Sequence, residues 1–105
     1  MVKYVILLKR RDSLDRDAFL EQWREGHLAL LRQLPGIRKI ELHEIVNTPN
    51  YPSAYDGIGI LTFDSVEAAL AAFASPLGQT VRQDTPRFAD SAGAMRFFAR
   101  DLEVE

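Results

Sequence analysis

The run VKYVILLK at residues 2–9 constrains the fold of this chain more than any other stretch. Its length and its Val, Ile and Tyr content favour a β-strand. Tyr4, Ile6 and Leu8 point to one side and Val5 and Leu7 to the other, so both faces are apolar. Such a strand belongs in the middle of a sheet with cover on both sides. Whatever the 105 residues fold into must cover this strand twice.

The rest of the chain supplies too few elements to do so alone. Asp15 can cap a helix, with Asp17 in its first turn. Phe19, Trp23, Leu30, Leu20 and Leu31 then form one apolar stripe, with Glu21, Glu25 and Arg32 opposite. This predicts an amphipathic helix over 16–33, stopped by Pro35 and Gly36. His27 falls in the middle of the apolar stripe. Residues 37–46 read as a half-polar strand suited to a sheet edge. NTPNYPS at 47–53 reads as a loop, and 55–63 as a third strand. Gly57 and Gly59 share a face of that strand with Leu61 and Phe63, which marks a close approach by another element. DSVE at 64–67 reads as a capping box, with Asp64 as the cap and Glu67 answering. The helix it starts runs to about Ala74, with Val66, Leu70 and Phe73 as its buried side. Ser75 and Pro76 start a short helix to Gln83. DTPRFADS is a lid-like or packing segment, and 94–99 is the last strand.

The order is β-α-β twice over. That is the ferredoxin-like βαββαβ arrangement of the α+β class, with right-handed crossovers giving a four-stranded antiparallel sheet in the order 4-1-3-2. The helices cover one face. The other, expected to include Gly57 and Gly59, has nothing left to cover it, and about 25 cal/mol per Å² of apolar surface is at stake. A second copy is the economical cover, giving a homodimer through the helix-free face and a dimeric α+β barrel. All of 1–105 reads as a single domain.

Composition narrows the function. Hydrophobic residues are 47% of the chain, enough for a core. The formal net charge of -2, from 13 Lys and Arg against 15 Asp and Glu, gives no footprint for nucleic acid. The absence of cysteine excludes disulfides, thiolate zinc sites and cysteine nucleophiles. No run has the length of a membrane span, and the N-terminus lacks a signal-peptide pattern, so a soluble, cytoplasmic protein is expected. No GxGxxG or GxxxxGK loop and no HxxxH, HxH or HExxH pattern is present, so no cofactor and no metal is expected.

His27 can be a packed histidine with a satisfied polar edge, a general acid or base, an oxyanion partner, or a metal ligand. Its ordinary pKa suits proton transfer at neutral pH. A neutral ring on this stripe needs partners, which Asp56 or a tyrosine hydroxyl could supply. His43 alternates with Glu41 on an exposed strand side; a metal site would need both histidines and a carboxylate together. Asp56, at the start of the third strand, can orient a histidine or cap a turn. Tyr4, Tyr51 and Tyr55 can each offer a phenol to a bound ring or carbonyl, and Trp23 an apolar wall. The cluster Lys9-Arg10-Arg11, with Arg96 and Arg100, can attract an acidic ligand.

The stretches LDRDAFLEQWREGHLALLRQLPGIRKIELHE and YDGIGILTFDSVEAALAAFASPLGQTVRQDTPRFAD, within a match over about residues 3–98, resemble the EthD family of the dimeric α+β barrel superfamily. The resemblance rests on Phe19, Trp23 and His27 at four-residue spacing, then Pro35-Gly36, Tyr55-Asp56-Gly57, Ser75-Pro76 and Phe88-Ala89-Asp90. It implies the barrel fold and marks His27 and Asp56 as the candidate catalytic residues. Family members include proteins linked to ether degradation, lactone isomerases and polyketide or pigment enzymes. The expectation is a protein that binds a small, oxygenated, apolar molecule and transforms it by acid–base chemistry: isomerisation, cyclisation or dehydration. Alternatives are a non-catalytic accessory protein of an oxidative pathway and an oxidoreductase, though no cofactor motif supports the latter. Related barrels include haem-binding members, for which His27 alone supplies too little.

Overall fold

The structure, a computed structural model, describes residues 1–104. The strands are β1 (Val2–Leu8), β2 (Lys39–Glu44), β3 (Gly57–Phe63) and β4 (Met95–Ala99). They form one antiparallel sheet in the order β2-β3-β1-β4, the expected arrangement read from the other edge. The doubly apolar β1 is indeed central and β2 is an edge.

The first helix is not continuous. It runs as α1 (Arg16–Gln22), a π-helical turn (Trp23–His27) and α2 (Leu28–Leu31). The Leu28 amide donates to the Trp23 carbonyl, one residue further back than α-helical bonding would have it. The wide turn contains Gly26, the weakest helix former of the segment. Asp15 caps α1 as expected, accepting from the Ala18 amide at 2.8 Å. Gly36, with φ at 79°, makes the left-handed turn that ends the helical segment.

The cap of α3 (Val66–Ala74) is Ser65, not Asp64. Asp64 is taken by a two-bond pair with Arg38, at 3.0 and 2.8 Å, leaving the next residue to cap. The buried side of α3 is Ala69 and Ala72, with Val66 and Phe73 flanking; Leu70 is exposed, since it lies off that face. Ser75 caps α4 (Pro76–Asp84) by accepting from the Gly78 amide. A short 3-10 turn, Thr85–Arg87, follows, and Phe88 and Ala89 are buried, so the segment packs into the core.

The helices cover the face bearing Val2, Tyr4, Ile6, Leu8, Gly57, Gly59, Leu61 and Phe63. The expectation that Gly57 and Gly59 belong to the open face is therefore wrong. They lie under Trp23. A Cβ on Gly57 would fall 2.5 Å from the indole Cζ3, and one on Gly59 would meet Ile6 at 3.0 Å and the indole at 3.5 Å. The close approach that the glycines signal comes from within the chain. The helix-free face carries three cross-strand rows, Ala99-Lys3-Thr62-Lys39, Phe97-Val5-Ile60-Glu41 and Met95-Leu7-Ile58-His43. It is apolar at its centre, with polar groups at the β2 edge and in the row of Lys3 and Thr62 at one end.

Candidate functional site

His27 closes the π-turn, and its side chain is buried, at 7% exposure. Nδ1 lies 2.8 Å from Oδ2 of Asp84, at the end of α4. An ionised carboxylate only accepts, so Nδ1 carries the proton and donates it to Asp84. Nε2 is then the basic nitrogen. It has no hydrogen-bond partner among the described residues, and it is not one of their sealed, unpartnered polar atoms. The ring meets Phe88 edge-on, with centroids 4.9 Å apart.

The dyad is anchored from its far side. Arg87 Nε donates to Asp84 Oδ1 at 2.6 Å, and another guanidinium nitrogen reaches Gln22 Oε1 at 3.3 Å. Gln22 directly precedes the π-turn, so the network ties the first helical segment to the end of α4. Burial pushes the His27 pKa below its ordinary 6.5; the Asp84 bond and charge pull it back up only partly, and Arg87 lowers it further. For Asp84, burial is the largest single influence and raises the pKa, but the bonds from Arg87 and His27 together outweigh it and hold the carboxyl below its ordinary range. At neutral pH the pair is therefore a neutral imidazole on a carboxylate.

Beside this pair, between helices and sheet, lies a cavity of about 530 Å³. Trp23, Leu31, Leu61, Phe73 and Val81 give it apolar walls, and Tyr4, Thr85, Arg82 and Arg96 supply polar groups. His27 is not on its wall, but Trp23 and Leu31, four residues to either side of it, are, and so is Thr85, next to Asp84. Burial pushes the Tyr4 phenol above its ordinary pKa, opposed by the nearby Arg96 and Arg82.

Of the residues singled out in the sequence, the fold brings Tyr4, Trp23 and Arg96 to one cavity, and His27 is not among its lining residues. Asp56 does not pair with His27. Its carboxylate accepts from the Arg10 amide at 2.7 Å and faces Arg16 at 3.5 Å, where it joins the ends of β1 and β3 to α1. Tyr51 is 79% exposed in the 47–53 loop, and neither it nor Tyr55 lines the cavity. Arg10 and Arg11 do not line it either. His43 is exposed and lies 3.9 Å from Glu41 Oε1. Among the described residues, no three His, Asp or Glu side chains gather as a metal-binding group, and no helix is long and apolar enough to cross a membrane.

Asp84, Arg87 and Arg82 were not anticipated. Their only local sign is an acid and a base three residues apart, a spacing common on any helix surface. Nothing in that spacing points 57 residues back to His27.

The EthD domain family profile matches residues 11–92. An uncharacterized 11.0 kDa protein of the thcB–thcC intergenic region of Rhodococcus erythropolis is 32% identical over 95 residues, covering 90% of this chain and 91% of that protein. An ethyl tert-butyl ether D (EthD) family protein from Bacillus halodurans, of known crystal structure, superposes with a TM-score of 0.81 at 24% identity, over 97% of this chain and 100% of that one. A dimeric protein of unknown function and ferredoxin-like fold from Bacteroides fragilis superposes with a TM-score of 0.71 at 18% identity, over 95% of each chain. The profile match over most of the chain, together with the Rhodococcus relative, shows that the chain belongs to the EthD family.

Proposed function

We propose that this protein binds a small, oxygenated, largely apolar molecule in the cavity between its helices and sheet, and transforms it by proton transfer at His27. The observation that carries the reading is the His27–Asp84 pair: a buried neutral imidazole, fixed in one tautomer, with Nε2 unclaimed. Nε2 removes a proton from the bound molecule. The imidazolium so formed is stabilised by the Asp84 carboxylate, and burial favours its giving the proton back at a second position. Removal of a proton and its return at another atom is an isomerisation. It is a cyclisation when the carbanion adds to a carbonyl carbon of the same molecule, whose oxygen takes the proton, and a dehydration when the neighbouring C–O bond breaks and the hydroxyl takes the proton and leaves as water. No co-reactant is needed. Asp84 takes the orienting role expected of Asp56.

The working unit is a homodimer joined through the helix-free face. Phe97 and Met95 there are 42% and 49% exposed in one protomer, a large cost if left in water. The dimeric Bacteroides protein of the same fold supports homodimerisation.

A second reading has its own observation: His27 is not among the residues lining the cavity. On that reading the protein carries a ligand without changing it, and His27 is a structural clamp between helices.

Trp23 is the sole tryptophan and lines the cavity, so its fluorescence reports binding directly. A screen of phenols, lactones and quinone-like compounds is expected to give hits that also shift the His27 ring signals in NMR. His27→Gln should stay folded and dimeric, still bind, and lose turnover of a converted hit by about 10²-fold or more. Unchanged turnover, or hits recovered intact from the wild type, would favour the carrier. A His27 ring that titrates at its ordinary 6.5 and ignores every compound would sink the site itself.

A further inference from the structure

Of the ten arginines of this chain, Arg16, Arg38 and Arg87 pair with carboxylates and the other seven do not among the described residues; of those seven, Arg82 and Arg96 line the cavity. Arg16, Arg38 and Arg87 each lie 2.6 to 2.8 Å from a carboxylate oxygen. Arg82 and Arg96 have no carboxylate partner among the described residues. Arg82 reaches the Phe73 carbonyl, at 3.3 Å, and Arg96 the Ser91 carbonyl, at 3.4 Å, with the Tyr4 hydroxyl also beside it. A guanidinium offers five donors, so each retains most of its capacity. Both line the same cavity, and among the described residues no Asp or Glu lines it with them.

Their placement follows from the fold. Arg96 pairs with Ile6 across β1 and β4, one step along the covered face from the Tyr4–Phe98 pair. Arg82 comes from α4, a helix rather than the sheet. Both residues are exposed, so they stand at the mouth, while Trp23 and Leu61 are buried deeper in. The phenol of Tyr4 lies close enough to feel both charges. The cavity is thus polarised, with an apolar floor and two uncompensated cations at its opening.

We infer that the ligand of this cavity is an apolar ring bearing a carboxylate, with the acid held between Arg82 and Arg96 and the ring against Trp23 and Phe73. The inference rests on the cavity being the binding site and names the class of molecule it takes. Guanidinium forks match a carboxylate with paired, charge-assisted hydrogen bonds. The Tyr4 hydroxyl can donate a further bond. A neutral ligand of the same shape would leave both cations unused. Inorganic phosphate would use the cations and leave the apolar floor empty.

The probes are 4-tert-butylbenzoate, its neutral amide and inorganic phosphate, titrated into the whole protein with Trp23 fluorescence and calorimetry as readouts. The benzoate is expected to bind at least about tenfold more tightly than the benzamide, a difference that shrinks as salt is raised. Arg82→Gln and Arg96→Gln should each weaken the benzoate by about tenfold and leave the benzamide unchanged; both sites are exposed, so the fold should survive. Arg82→Lys and Arg96→Lys should fall between. Equal binding of acid and amide would overturn the inference while leaving the cavity reading intact. Binding of phosphate as tight as that of the benzoate, or benzoate binding indifferent to both Gln variants, would also overturn it. If neither organic compound binds the wild type, the cavity reading fails and takes this inference with it.

Discussion

The two faces of the sheet read alike in sequence and have opposite fates. Each is apolar at its centre. On the covered face, glycine meets indole: Gly57 and Gly59 remove side chains where Trp23 lies. That interlock of very small with very large residues holds the helices down, and Phe19 stacks on Trp23 at 5.7 Å to extend it. On the open face, Val5, Leu7, Ile58 and Ile60 present side chains of similar size, with Met95 and Phe97 beside them. Such a surface has no glycine recess for a helix to enter. It suits another flat sheet. The difference is one of shape rather than of polarity, and shape decides which face closes within a protomer and, in the proposed dimer, which closes between two.

The sharpest way to break the comparison is to remove the indole. Trp23→Ala is expected to lose about 3–5 kcal/mol of stability, the usual range for a buried aromatic, and melting or denaturant unfolding measures it. An unchanged midpoint would mean the interlock is not what secures the covered face. Next is the open face. Ile58→Glu places a carboxylate at its centre, and two-fold symmetry repeats the insertion across the interface. Its dimer should dissociate with a Kd raised by about 10²-fold or more, since like charges facing each other cost several kcal/mol, while each protomer keeps its secondary structure. Sedimentation of an unaltered dimer would place the interface elsewhere. Smaller again is Gly57→Ala, where the new methyl would lie 2.5 Å from the indole. Overpacking of this kind costs about 1–3 kcal/mol, and a fully tolerated alanine would show that Trp23 has room to retreat.

The smallest effect is in pH. The folded-state pKa of His27 is lowered by burial, so below its ordinary 6.5 the unfolded chain binds a proton that the folded chain resists. Stability is therefore full above 6.5 and falls as pH drops beneath it. His27→Gln should flatten that slope. Asp84 acts in the same direction in a lower window: its depressed pKa means stability is lost as pH falls below the ordinary carboxylate value of 3.8. A wild-type slope between pH 6.5 and 5 that His27→Gln leaves intact would point to another group.

Much of this was legible in the chain itself, for reasons that differ by element. The strand at 2–8 announced itself by composition, and its double apolarity placed it centrally. Asp15, Ser75 and Pro76 set two helix starts because capping is decided within a few residues. Local chemistry misled where two residues competed for one role: Asp64 looked like a cap until Arg38, from the end of another element, engaged it. The π-turn was hidden because a helical wheel of fixed period has no place for an extra residue.

The candidate site divides in the same way. Sequence alone determined that His27 lies on a buried helical stripe, that Trp23 lies on the same stripe, and that Gly57 and Gly59 make way for something large. Periodicity and side-chain size carry that information, and both are properties of short stretches. Only the tertiary structure decided that the large group is Trp23, that His27 is bound by Asp84 rather than Asp56, and that Arg82 and Arg96 line one cavity with no carboxylate among its described lining residues. Each of these depends on which elements the crossovers bring together. Asp84 and His27 are 57 residues apart, and the spacing of charges along a chain holds no record of a neighbour that far away.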